Sequence, residues 1–172
     1  MNVEFIKDFA GAIEIMKNVE PFYDSKSRLV TNAWRRENLN MEFMGEHYGF
    51  QESDFYVCKI DGKPIGAFVA YDAARTSDLY KEVLPDYDWR GGIFLNRLCI
   101  IEAGHKFDTI RTIMDAFKDM ARAQGYTKIV GDAGAHQPIL TRFYEMLGAQ
   151  RAASFMGTLD AHEWIVYEYK IE

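Results

Sequence analysis

The period of hydrophobic positions changes repeatedly along this chain, and each change predicts an element. Residues 2–6 are strand-like. From Asp8, the positions Phe9, Ile13 and Met16 recur at helical spacing and predict an amphipathic helix that ends before Pro21. A second helical region is expected around residues 27–48, with Trp34, Leu39, Phe43 and Met44 buried and Gly49 as its stop signal. Two β-rich runs, 55–60 and 64–71, flank Asp61-Gly62-Lys63, and Asp-Gly between such runs signals a hairpin.

A polar insertion follows at residues 73–90, entered at about Asp72 and holding Asp78, Glu82, Asp86, Asp88 and Pro85. Insertions of this length between strands often line a site. The stretch 93–125 then organises the chain: a buried run at Ile93, Phe94 and Leu95, a second at 98–101, a loop at 102–107, and a helix opening at Asp108. Ile110, Ile113, Met114, Phe117 and Ala121 form one face of that helix. Asp108 is its expected N-cap and Gly125 its C-terminal cap, with Lys118 and Arg122 near the negative end of the dipole. A loop that feeds a helix N-terminus is a frequent anion site.

A short strand at 128–132 precedes Ala133-Gly134-Ala135, and a helix at 138–147 opens on Pro138 and stops at Gly148. Strands at 152–158 and 164–171 close the chain. The last places Ile165, Tyr167, Tyr169 and Ile171 on one face, and Trp164, Val166, Glu168 and Lys170 on the other. The expected class is α/β: a mixed, mostly antiparallel sheet with helices on both faces.

At 172 residues a single domain, 1–172, is expected, with residues 1–50 as its N-terminal helical part. A composition 48% hydrophobic supports a sizeable core and argues against disorder. The net charge of −6 argues against bulk nucleic-acid or anionic-membrane binding, and Trp34-Arg35-Arg36 is too small a basic cluster to reverse that. Cys58 and Cys99 lie in apolar runs and read as buried, reduced thiols. The first residues lack the basic and apolar regions of a signal peptide, and no run reaches membrane-spanning length, so the expected setting is the cytoplasm. The four histidines, His47, His105, His136 and His162, show no metal-ligand spacing with the cysteines, and no metal is expected.

The segment Phe143-Tyr144-Glu145-Met146-Leu147-Gly148-Ala149 resembles the Tyr-Glu-Lys-Leu-Gly-Phe motif of the GNAT N-acetyltransferase superfamily. Gln137-Pro138 stands where that family often has Asn-Pro, and Asp61-Gly62-Lys63-Pro64-Ile65-Gly66 resembles its third-strand entry. The resemblance implies an acetyl-CoA-dependent transferase whose acyl-CoA lies in a split between two parallel central strands. It places Leu98 and Ile100 on the cofactor strand and His105 at the Arg/Gln position of the pyrophosphate loop. Lys106 and Arg111 add cationic character there, and Gln137 joins the cofactor-binding set. Asp108 and Ile110 fall where the loop's glycines would be, so the glycines that let backbone approach phosphate are missing.

Acetyl transfer to an amine needs a general base and an acid for the leaving thiolate. The resemblance makes Tyr144 the acid; a core tyrosine on a helix face is the alternative. The central strand offers Asn96 and Arg97 in place of the family's glutamate, so Asp132 and His136 are the substitute bases. A turn or cap role for Asp132 and a solvated-loop role for His136 are the competing explanations. The acceptor would be an amine, on a small molecule or a protein, and a homo-oligomer is compatible with the sequence. The competing reading is a GNAT-like binding or assembly protein without catalysis, similar to virion or accessory proteins of tailed phages, with a virion setting if phage-encoded.

Overall fold

In chain order the first elements are β1 (Val3–Lys7), α1 (Phe9–Ser27), α2 (Met41–Tyr48), β2 (Phe55–Ile60), β3 (Lys63–Asp72) and the short α3 (Ser77–Tyr80). Then come β4 (Gly92–Ile100), α4 (Phe107–Ala123), β5 (Lys128–Gly134), α5 (Pro138–Met146), β6 (Gln150–Met156) and β7 (Glu163–Lys170). The computed structural model describes residues 1–27, 36–101, 107–157 and 162–172. Hydrogen bonding orders the seven strands β1-β2-β3-β4-β5-β7-β6. β4 and β5 are parallel, whereas β1–β2, β2–β3, β5–β7 and β6–β7 are antiparallel. Mixed α/β with a mostly antiparallel sheet is therefore the architecture. No helix among the described residues is long and apolar enough to cross a membrane.

The chain forms two compact units, Met1–Ala70 with Arg97–Ala116, and Tyr71–Asn96 with Phe117–Glu172. In the first, Asp61 (φ 50°) and Gly62 (φ 79°) form the two-residue turn between β2 and β3. Positive φ at both positions matches the twist of a hairpin, and Asp-Gly reaches it at low cost. Tyr56 stacks on its cross-strand partner Phe68 with ring centroids 5.0 Å apart, and Phe5 of β1 meets Phe68 edge-on. Asp8 caps α1 by accepting from the Gly11 amide at 2.9 Å, and Ala12, Ile13, Met16 and Val19 fill the core below it. α1 was expected to end before Pro21 but runs to Ser27. Proline withholds a single amide from the ladder, and a helix of 19 residues can absorb that local loss.

Of the helical region expected at 27–48, residues 28–35 lie outside the described residues; in the described part α2 opens at Met41, where Asn40 caps it: its Oδ1 accepts from the Phe43 amide at 2.9 Å. Gly49 closes it in the left-handed conformation at φ 66°, as its position implied. Leu39 and Met44 are buried, Phe43 is half-buried, and Trp34 and Arg35 lie outside the described residues. Cys99 is buried and donates to the Ala67 carbonyl at 3.5 Å. Cys58 is equally buried, and burial pushes both thiols up to about 12.

In the second unit, β5 runs to Gly134, past its expected end at Asp132. Antiparallel pairing with β7 carries it on, through Asp132↔Val166, Ala133↔Ile165 and Gly134↔Trp164. Ile165, Tyr167 and Tyr169 are buried as their alternation implied, but Val166 on the opposite face is fully buried too. α4 opens at Phe107, which places Asp108 inside the first turn instead of at the N-cap. A cap stands outside the helix, so Asp108 is not one; residues 102–106 lie outside the described residues. The end of α4 follows expectation: Gly125 (φ 85°) donates to the Arg122 carbonyl and Tyr126 to that of Ala121, each at 3.0 Å. Gly148 (φ 92°) and Ala149 close α5 with the same pair of bonds, to Glu145 and Tyr144.

Candidate active site

Pairing between β4 and β5 covers Gly92↔Lys128, Ile93↔Ile129 and Phe94↔Val130 and then stops. Among the described residues, β5 continues on β7 through Gly134, and its β4-facing edge carries no strand pairing past Val130. The approach is tight where the strands part: a Cβ added to Gly131 would stand 3.3 Å from the Leu95 carbonyl. Three of the expected site residues follow this point in close succession, at Asp132, His136 and Gln137, and Tyr144 lies on the next helix.

Asp132 is half-buried on β5, and its Oδ2 accepts from the Tyr80 hydroxyl at 3.0 Å. It is a strand residue, which removes the turn or cap explanation. His136 stacks on His162 with centroids 4.1 Å apart and meets Trp164 edge-on at 5.9 Å. Its ring lies over Gly134, where a Cβ would come within 2.3 Å of it. His136 is thus a half-buried, packed ring and no solvated loop residue. Gln137 ties the turn between β5 and α5: its Oε1 accepts from the Gly134 amide at 3.2 Å, and its own amide donates to the Gly134 carbonyl at 2.9 Å.

Pro138 at the first position of α5 costs no ladder bond, and the helix carries Tyr144 onto β7. Tyr144 is half-buried and stacks on Tyr167 at 5.3 Å, while the Tyr169 hydroxyl donates to its carbonyl at 3.4 Å. Burial raises the Tyr169 phenol, and the neighbouring Tyr144 and Tyr167 phenols add to the rise. Burial raises Tyr167 as well, with Arg151 working against it. Both remain protonated at neutral pH.

The insertion is firmly attached within this unit. Tyr87 donates to Glu168 Oε1, and Lys128 Nζ donates to the same oxygen at 2.8 Å and to the Asp88 carbonyl at 2.6 Å. Burial alone would raise Glu168, but the bonds from Lys128 and Tyr87 and the lysine charge outweigh it and leave the carboxyl below its usual range. Burial and the same carboxylate push Tyr87 up.

In the first unit, Ile100 is buried and Leu98 is half-buried on β4. Between Asn96 and Leu98, Arg97 takes φ 52°, is 7% exposed, and holds its guanidinium 4.9 Å from the Tyr48 ring and 5.6 Å from that of Phe50. A buried, left-handed arginine has no signature in the sequence pattern. Arg111 is exposed, with its guanidinium 4.7 Å from the Phe107 ring. His105 and Lys106 lie outside the described residues. Tyr80 is the other site residue missed by sequence reasoning, since its contact with Asp132 spans 52 positions.

The strand order, the parallel pairing of β4 and β5 that stops after three residue pairs, and the helix following β5 make up a fold shared with solved GNAT acetyltransferases. No protein-family model matches the chain, and no curated protein does. Solved structures do. A GNAT-family acetyltransferase from Listeria monocytogenes is 13% identical, with 98% of this chain and 94% of the other covered at a TM-score of 0.71. A GNAT-family protein from Desulfovibrio desulfuricans is 14% identical over 99% of this chain and 100% of its own, at 0.65. A chimera of the Vibrio cholerae spermidine N-acetyltransferase SpeG with hSSAT is 10% identical over 99% and 96%, also at 0.65. These likenesses are of fold.

Proposed function

We propose that this chain is an N-acetyltransferase that passes the acetyl group of acetyl-CoA directly to an amine. The observation that carries the reading is the release of β5 from β4 past Val130, with Asp132 on the released stretch and Tyr144 on the helix that follows. An unpaired strand edge can accept amide hydrogen bonds from an extended ligand, as it would from another strand. Acetyl-CoA supplies the activated acyl group. Asp132 takes the proton from the attacking amine as the C–N bond forms, and Tyr144 protonates the thiolate as the C–S bond breaks. His136 is the alternative base. Leu98, Ile100 and Gln137 are assigned to the cofactor, and His105, Lys106 and Arg111 to its pyrophosphate.

Tyr144→Phe tests the assignment. Turnover of acetyl-CoA with a panel of primary amines should fall roughly a hundredfold, with acetyl-CoA affinity unchanged. Equal turnover in the variant removes Tyr144 from the mechanism.

One feature favours a second reading, a GNAT-like binding or assembly protein without catalysis, such as a phage virion or accessory component. Asp108 sits in the first turn of α4, where its carboxylate would oppose an anion. Asp108→Gly separates the two: a transferase should bind acetyl-CoA more tightly in this variant, whereas a binding protein of the second kind should ignore acetyl-CoA in both forms.

A further inference from the structure

Tyr80 closes the short helix at the start of the insertion, and its hydroxyl reaches Asp132 Oδ2 at 3.0 Å. Its ring is held on two sides within the same unit. Trp89, only 4% exposed, packs against it at 5.3 Å, and Phe155 of β6 meets it edge-on at 5.1 Å. Its backbone is held too, because the Tyr80 carbonyl accepts from the amides of Val83 at 3.1 Å and Leu84 at 2.7 Å. The donor is therefore fixed from both ends.

An aspartate on a strand has two side-chain torsions, and a base must present one oxygen to the proton it removes. A fixed phenol on Oδ2 selects one rotamer and directs Oδ1 elsewhere. It also favours the ionised carboxylate, the form that acts as a base. We propose that Tyr80 is the positioning residue for Asp132, so that the insertion is a working part of the catalytic apparatus. This inference rests on the transferase reading and on Asp132 as its base. A clip that only fastens the insertion to the sheet would use the same contact, but it would change stability without changing the behaviour of the carboxylate.

The test compares Tyr80→Phe, which keeps the ring between Trp89 and Phe155, with Asp132→Asn and the parent protein. Acetyl-CoA turnover with the amine panel is followed against pH, and the Asp132 carboxyl is titrated by carbon-13 NMR. The inference expects Tyr80→Phe to lower kcat about five- to twentyfold while the KM for acetyl-CoA stays within about twofold. The acidic limb of kcat/KM and the NMR titration of Asp132 should both move to higher pH, because the ionised form has lost a donor. Asp132→Asn should abolish most turnover.

An unmoved acidic limb in an active Tyr80→Phe enzyme overturns the inference and leaves the transferase reading standing. An NMR titration that moves without any change in kcat also overturns it, showing a clip. Full turnover in Asp132→Asn overturns it by removing the base. A parent protein that neither binds nor consumes acetyl-CoA defeats the transferase reading itself, and the positioning role with it.

Discussion

Lys128 on β5 donates to Glu168 on β7 at 2.8 Å, and both side chains are largely shielded, at 17% and 21% exposure. Tyr87 donates to the same oxygen, so one carboxylate joins two strands and the insertion. Glu168→Gln keeps the shape and removes the charge, and should cost about 1–2 kcal/mol in urea unfolding. The folded Glu168 carboxyl lies below its usual value. Its contribution is therefore present above the unfolded value of about 4.3 and is lost as pH falls through the lower folded value. The stability gap between parent and variant should close in that acid window.

Gly66 on β3 tests how closely the strands of the first unit approach. A Cβ there would stand 2.2 Å from the Cys99 carbonyl oxygen and 3.0 Å from Ile100 Cδ1. The nearer obstacle is backbone, which cannot swing aside. Gly66→Ala should lower stability by about 2–3 kcal/mol in a denaturant titration, more than Gly→Ala at an open position.

Asn40 accounts for where α2 begins. Asn40→Ala removes the acceptor for the Phe43 amide and should cost about 1 kcal/mol, whereas Asn40→Asp should cost little. Thermal melts of the three proteins check this.

Cys58 and Cys99 are buried, with thiols pushed up to about 12. A thiol reagent at pH 8 should label neither in the native protein and both in guanidinium chloride. Rapid labelling of the native form would contradict the burial.

The parts of the fold legible in the sequence are those fixed locally. Asp61-Gly62 specifies its turn by backbone conformation alone, Gly49, Gly125 and Gly148 stop their helices in the same way, and Pro138 opens α5. Elements decided by distant partners were less legible. β5 extends past Asp132 because β7 pairs with it, and α1 continues through Pro21. The candidate site follows the same division. Asp132, His136, Gln137 and Tyr144 lie on one strand–turn–helix stretch and could be named from it. The partners that give those residues their surroundings come from elsewhere: Tyr80 from the insertion, His162 and Trp164 from the entry to β7, and Tyr167 from β7 itself. Arg97 was visible as a residue, but its burial and its φ of 52° were not.

A thermal melt of the parent protein with and without acetyl-CoA asks whether the released edge of β5 serves that ligand. A ligand bound only by the folded state adds about 2.7 kcal/mol at a hundred times its dissociation constant. For a chain of this size that is a rise in Tm of about 5–10 °C. Such a rise is expected with acetyl-CoA at millimolar concentration, and Tyr144→Phe should retain it. An unchanged Tm in the parent protein would contradict it.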